Sequence, residues 1–144
     1  MNILPRCLLL AAALFSLGAC QTSDRGESET SPVGPPVLSA ALEQEALRSP
    51  VEFSRHVQPI LQQNCGWCHD GKSYPLLVNF SEKKSVLGRG PYGLRVIPGR
   101  PDDSLLVNNL SQTHAPIQTM PPVGSRLTPV ELKILKKWIQ EGAR

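Results

Sequence analysis

Cys65-Gly66-Trp67-Cys68-His69 is the stretch that decides how this chain is read. Two thiols two residues apart, followed at once by an imidazole, form the pattern of c-type haem attachment. The spacing has a chemical reason: the thiols of Cys65 and Cys68 can add to the two vinyl groups on one edge of a haem. The porphyrin is then held edge-on to a short turn, and His69 comes beneath the iron as proximal ligand. Two other chemistries use similar residues. A redox dithiol of the thioredoxin kind also uses Cys-x-x-Cys, but such a motif should follow a buried strand. Here Val57, Ile60 and Leu61 precede Cys65 with the spacing of one helical face, interrupted by Gln58, Gln62 and Gln63. A zinc site built from Cys65, Cys68, His69 and His56 is the third option, although the chain has no second Cys-x-x-Cys and no paired histidines.

The chain has 4 cysteines, and each of the other two has its own explanation. Arg6 followed by the apolar run Leu8 to Leu17 reads as a secretory signal, too short to span a bilayer as a stable helix. Leu17-Gly18-Ala19-Cys20 resembles a bacterial lipobox, so residues 1–19 are expected to be a lipoprotein signal peptide and Cys20 the lipidated residue. Cys7 leaves with the signal. No thiol then remains for a structural disulfide, even in a compartment that permits one. The expected location is a bacterial cell envelope, lipid-anchored and facing the periplasm. Gln21 does not resemble an inner-membrane retention signal, which leaves the outer membrane open.

Residues 20–50 are expected to be the lipidated cysteine and a flexible linker, and residues 51–144 a single domain. Gln21 to Pro36 is rich in Ser, Thr, Gly, Pro and Glu and cannot bury enough surface to order itself. Leu38, Ala41, Leu42 and Ala46 recur at helical spacing before Pro50. A short helix there either interrupts the tether or packs against the domain. From Val51 onward the chain carries twelve basic against seven acidic residues, and from Cys20 to Pro50 two against five. Haem propionates would lower the domain's charge further. Nucleic-acid binding is therefore not expected, and the charge supports only a weakly steered encounter with an acidic redox partner.

Thr128-Pro129-Val130-Glu131 combines an N-cap, a proline at the first helical position and a glutamate able to reach back to the cap. A helix is expected there, with Leu132, Leu135, Trp138 and Ile139 as its apolar stripe and Gly142 at its stop. Phe53, Val57, Ile60 and Leu61 give a helix leading into the haem motif. The two should bury their apolar faces by crossing each other. Asp102-Asp103-Ser104 is expected to start a third helix, with Pro101 blocking its extension backwards. No alternation marks a sheet; Leu76-Leu77-Val78 and Leu94-Arg95-Val96-Ile97 read as short extended connections. With 5% aromatic residues, 11 glycines and 14 prolines, the core is thin, and a covalent haem would fill it. The haem-free domain is accordingly expected to fold poorly.

Met120 is the only methionine besides the initiator, and Pro121 and Pro122 stiffen the backbone after it. Histidine–methionine ligation leaves no open position on the iron and raises its reduction potential. Met120 is the expected sixth ligand. Its competitors are His114, six residues earlier, and His56, which reads as a surface or packing residue.

Phe53 to Leu61, Cys65 to His69, Ile97-Pro98-Gly99-Arg100-Pro101-Asp102-Asp103-Ser104-Leu105-Leu106, Met120-Pro121-Pro122, and Leu127-Thr128 through Trp138 to Ala143 follow one another in order. Together they resemble the cytochrome c-like domain family sometimes labelled planctomycete-type, over essentially all of Val51 to Arg144. The resemblance implies an all-α, small class I cytochrome c fold, with crossed N- and C-terminal helices around one covalent haem c. It implies His69 and Met120 as axial ligands and a proline carbonyl, here that of Pro75, orienting the proximal histidine. The resulting expectation is a monohaem c-type cytochrome that passes single electrons between redox protein partners and is not an enzyme in its own right. It would act alone or as a subunit of a larger oxidoreductase. The alternatives are a haem-based small-ligand sensor or peroxidase-like subunit, which requires Met120 to dissociate, and a haem-free dithiol or zinc lipoprotein.

Overall fold

Proline at position 59 shapes the entry to the helix that carries the motif. Proline has no N–H to give to the carbonyl one α-turn back, so the chain enters through a wider, π-helical turn, Phe53–Val57, in which the Gln58 N–H reaches the Phe53 carbonyl. A regular α-helix then runs from Gln58 to Cys65, with Pro59 in its first turn. This computed structural model describes residues 34, 36–111, 120–121 and 126–144. The expected signal peptide, Cys7, Cys20, nearly all of the Gln21 to Pro36 tether and His114 lie outside the described residues.

The described part is predominantly helical. In chain order come α1 (Ala40–Arg48), the π-helical turn, α2 (Gln58–Cys65), α3 (Lys83–Leu87), strands β1 (Arg89–Gly90) and β2 (Gly93–Leu94), a 3-10 turn (Pro101–Asp103), α4 (Leu105–Ser111) and α5 (Pro129–Gln140). α5 begins as its sequence predicts. The Thr128 hydroxyl accepts from the Glu131 N–H at 3.1 Å, and the Glu131 carboxylate accepts from the Thr128 N–H at 2.8 Å. Beyond its end Gly142 takes φ +95, and the Gly142 and Ala143 N–H groups return to the Ile139 and Trp138 carbonyls.

α5 is the centre of the core. It touches α1, the π-helical turn, the 3-10 turn and α4. That many neighbours widen its buried stripe: Ile134, Leu135, Trp138 and Ile139 are fully buried, Glu131 is buried with them, and the expected Leu132 is only half-buried. The expected packing of the first domain helix on the last occurs through Phe53 and Trp138, whose ring centroids lie 5.5 Å apart and tilted at 44°. Such a pair adds about 0.5–1.5 kcal/mol to the area the rings bury.

Three local expectations change. The helix predicted from Asp102 starts later: Pro101–Asp103 close a separate 3-10 turn, and α4 begins at Leu105. Ser104 separates them because its buried hydroxyl donates to the Arg100 carbonyl and accepts from the Ile97 N–H, an arrangement that needs an extended backbone there. A minimal antiparallel pair, Arg89 with Leu94 and Gly90 with Gly93, appears where no sheet was expected, closed by Pro91-Tyr92 with Gly93 at φ +120. Finally, the α1 segment packs against the domain. Leu38 and Ala46 are buried, and the Lys137 ammonium donates to the Ala46 and Ser49 carbonyls at 2.7 and 2.5 Å. The stretch from Val37 to Pro50, within the expected linker, thus belongs to the folded body.

Candidate functional site

Cys65 is the last residue of α2, and the chain continues to turn beyond it. The Cys68 and His69 N–H groups both return to the Cys65 carbonyl, at 3.2 and 2.9 Å. Both thiols and the imidazole are therefore carried by one compact turn at the end of a helix rooted in the core through Ile60 and Leu61. The chain then reverses. Asp70 accepts from the Lys72 and Ser73 N–H groups, which hold its carboxyl below the usual range, and Gly71 sits at φ +75, where an added Cβ would lie 2.9 Å from the Asn79 side chain.

This reversal brings Val78 and Phe80 back to the histidine. His69 Nδ1 lies 3.0 Å from the Val78 carbonyl oxygen, so Nδ1 carries the proton and donates, leaving the Nε2 lone pair available. The Phe80 ring lies against the imidazole with centroids 4.6 Å apart, and the Phe80 N–H bonds the His69 carbonyl. The carbonyl that orients the ring therefore belongs to Val78 and not to Pro75, which is exposed. Pro75 lies in the exposed turn at the far end of the loop, and the chain comes back to the ring only at Val78 to Phe80. Burial, opposed by the Val78 bond and aided by the nearby Arg95 charge, holds the imidazole below its ordinary range and hence neutral.

Cys65, Cys68 and His69 line a cavity of about 360 Å³, and Met120 lines the same cavity. Its volume falls in the range of cofactor pockets, about 300–1,000 Å³. α4 contributes Leu105, Leu106, Asn109 and Leu110 to the lining. It also fixes the methionine, because the Met120 N–H donates to the Asn109 carbonyl at 2.9 Å. Trp67, Tyr74 and Tyr92 are exposed along its rim. Two polar features stand out. Asn109 Oδ1 is buried without a hydrogen-bond partner among the described residues. Arg95 is the one permanently charged side chain among the described lining residues. Its guanidinium donates to the Ser85 carbonyl at 3.1 Å, meets no carboxylate among the described residues, and lies so close to Gly88 and Gly90 that a Cβ at either would stand 3.0 or 3.4 Å away.

The alternatives fare less well on the same geometry. The Cys65 thiol is pushed up to about 12 by burial first, then by Cys68 and Glu131. A dithiol redox centre needs a readily formed thiolate, usually at a helix N-terminus, whereas this motif sits at a helix C-terminus. For zinc, His56 is buried away from the lining: its Nδ1 accepts the Glu52 N–H, and its Nε2 faces Glu45 at 3.6 Å. Among the described residues no group of three or more His, Cys, Asp or Glu side chains is arranged to hold a metal ion.

The sequence reading missed Val78, Phe80, Arg95 and Asn109. Only Arg95 left a signal: in Leu94-Arg95-Val96 it alternates with a valine that is buried in the core, which turns the arginine to the other side of the chain. Comparison with protein-family models, curated proteins and solved structures finds no match to this chain.

Proposed function

We propose that the chain is a monohaem c-type cytochrome of the cytochrome c-like kind its motifs resemble, a single-electron carrier and not an enzyme in its own right. One observation carries the reading. Cys65, Cys68, His69 and the distant Met120 line one largely apolar cavity, and Val78 holds His69 in the tautomer that leaves Nε2 free. The residues fit a haem: the thiols of Cys65 and Cys68 would bond it as thioethers, His69 Nε2 and the Met120 sulfur would hold its iron, and the Arg95 guanidinium would offer a partner for its carboxylates. Bound there, the group supplies one reversible oxidation step.

The chain's own residues account for the rest. With His69 and Met120 both committed to the group, neither would leave room for solvent or substrate, which would favour electron transfer without ligand change. Leu105, Leu106, Leu110 and Phe80 give the cavity an apolar wall, which would reduce the solvent rearrangement that accompanies charge transfer. Trp67, between the two cysteines, is 83% exposed, and the edge around Gly66 and Trp67 is the proposed meeting point with redox protein partners. Lipidation at Cys20 would tether the domain to the envelope membrane. Among the described residues no helix is long and apolar enough to cross one.

The test is the visible spectrum, oxidised and reduced, of the exported chain from Gln21 onward made with haem-attachment machinery. A covalent low-spin haem with the weak ferric methionine–iron band is expected. A high-spin spectrum would move the function to ligand binding, as a sensor or peroxidase-like subunit. Absence of haem would return Cys65 and Cys68 to the dithiol and zinc readings.

A further inference from the structure

Six large apolar side chains are exposed among the described residues, and they fall in two stretches: Trp67, Tyr74, Leu76 and Leu77 in one, Tyr92 and Leu94 in the other. Exposed apolar groups scattered singly are ordinary, but a cluster of this kind marks a surface that meets something. Trp67, Tyr74, Leu77 and Tyr92 line the mouth of the cavity, whereas Leu76 lies outside the lining, so the cluster extends past whatever fills the cavity. Leu76 sits at the tip of a turn. The Leu77 N–H donates to the Tyr74 carbonyl at 2.9 Å, with Pro75 and Leu76 as the central residues, and Leu76 is 97% exposed.

The charges beside the cluster have a positive excess. Lys72 and Arg89 are exposed, and Arg89 stands opposite Leu94 in the β1–β2 pair, so a cation and an apolar side chain share one face of the hairpin. The carboxylate nearest the turn in sequence, Asp70, is occupied by the Lys72 and Ser73 N–H groups and the Ser73 hydroxyl. Like cations disfavour packing this surface against a second copy of itself. A protruding leucine suits a fluid apolar phase, which needs no matching socket; tryptophan and tyrosine settle at the level of lipid headgroups, and lysine and arginine meet anionic ones.

We propose that the turn Tyr74 to Leu77, flanked by Trp67, Tyr92, Lys72 and Arg89, is a tip that docks the domain on an anionic lipid surface. The N-terminal stretch works in the same direction. The Gly34 N–H is bonded to the Arg126 carbonyl, so residues 21–33 alone separate the described body from Cys20, and even fully extended that stretch spans no more than about 50 Å. A lipid on Cys20 would confine the tip near a bilayer, but the docking itself needs neither that lipid nor a haem. Only the turn enters the lipid, and the Trp67 edge stays at headgroup level, within reach of a redox partner held in the same membrane.

The experiment is co-sedimentation of the exported chain from Gln21 onward, which carries no acyl anchor, with vesicles of phosphatidylglycerol and, separately, of phosphatidylcholine. The chain should bind phosphatidylglycerol more tightly. Leu76→Ser, at a side chain too exposed to affect folding, should weaken that binding about tenfold. Gln140→Glu, at an exposed position outside the cluster, should leave it unchanged. Binding no stronger than to phosphatidylcholine, equal binding by the parent and Leu76→Ser, or an equal loss in Gln140→Glu overturns the docking tip, and the cluster then passes to a protein partner. A dimer in the absence of lipid that Leu76→Ser dissociates would overturn it in favour of a second copy. Absorbance of the same samples reads haem content: a haem-free chain that binds as expected sinks the proposed function alone, and a haem-bearing chain that does not bind sinks the docking alone.

Discussion

The Nδ1 atom of His69 lies 3.0 Å from the carbonyl oxygen of Val78, and this one bond determines which ring nitrogen the cavity receives. The acceptor is backbone, so it survives side-chain substitution at Val78. The ring's angle depends in addition on Phe80, which is 6% exposed and stacked 4.6 Å from the imidazole. Phe80→Ala should therefore destabilise the protein by about 3–5 kcal/mol, the usual loss for a buried phenylalanine. Denaturant titration measures that loss. Phe80→Leu, which refills part of the space, should lose clearly less.

In the haem protein proposed above, Met120→Ala should free one ligand position on the iron. The ferric methionine–iron band should vanish and the ferrous protein should bind carbon monoxide, while His114→Ala leaves both properties unchanged. If instead the histidine variant opens the site, the axial assignment passes to His114.

Arg95 stands as the one permanent charge among the described residues lining the cavity. In the proposed haem protein, a cation near the iron would stabilise the reduced, less positive form, so Arg95→Gln should lower the midpoint potential. A loss of up to about 60 mV corresponds to a tenfold change in a one-electron equilibrium. Redox titration of the two proteins decides the point, and an unchanged or raised potential would contradict the placement of that charge.

Where a Cys65→Ser/Cys68→Ser chain without haem retains the fold by circular dichroism, the His69 ring should titrate below its ordinary value of 6.5, because burial disfavours its charged form. The sign for stability follows from linkage: above 6.5 neither state binds the proton. As pH falls from 6.5 through the lowered folded value, the unfolded chain takes up the proton first, and the fold loses stability. An NMR titration of the ring should find its midpoint below 6.5; a midpoint above it would mean the ring is not buried as described.

A fragment starting at Val51 should be less stable than one starting at Gln21. It loses the buried Leu38 and Ala46 and leaves Lys137 and Glu131 without their partners in residues 37–49. Burying a leucine alone is worth about 1.5–3 kcal/mol, so a loss of at least about 2 kcal/mol is expected on chemical denaturation. Equal stability would mean that the N-terminal segment packs without contributing.

Much of this molecule is local, and what is local can be read directly. Cys65, Cys68 and His69 lie within five residues, and their chemistry depends on spacing that one turn preserves. The α5 cap is equally legible, since Thr128 and Glu131 satisfy backbone N–H groups within their own helix. The predominantly helical class follows from apolar spacing before Cys65 and after Thr128, which only a period near 3.6 explains. Tertiary structure decided the remainder because its partners are far apart in the chain. Neither Val78 nor Pro75 announces which carbonyl will reach the imidazole; the reversal at Gly71 chooses. Arg95 becomes a cavity residue only when the hairpin around Gly90 folds beside His69. Glu131 reads as a cap, yet its second oxygen is committed to Val37, and Lys137 reads as a solvated charge until α1 lays two carbonyls beside it. Hydrogen-bonding capacity is visible in a sequence, but the partner is set by which backbone groups the fold removes from water at that place.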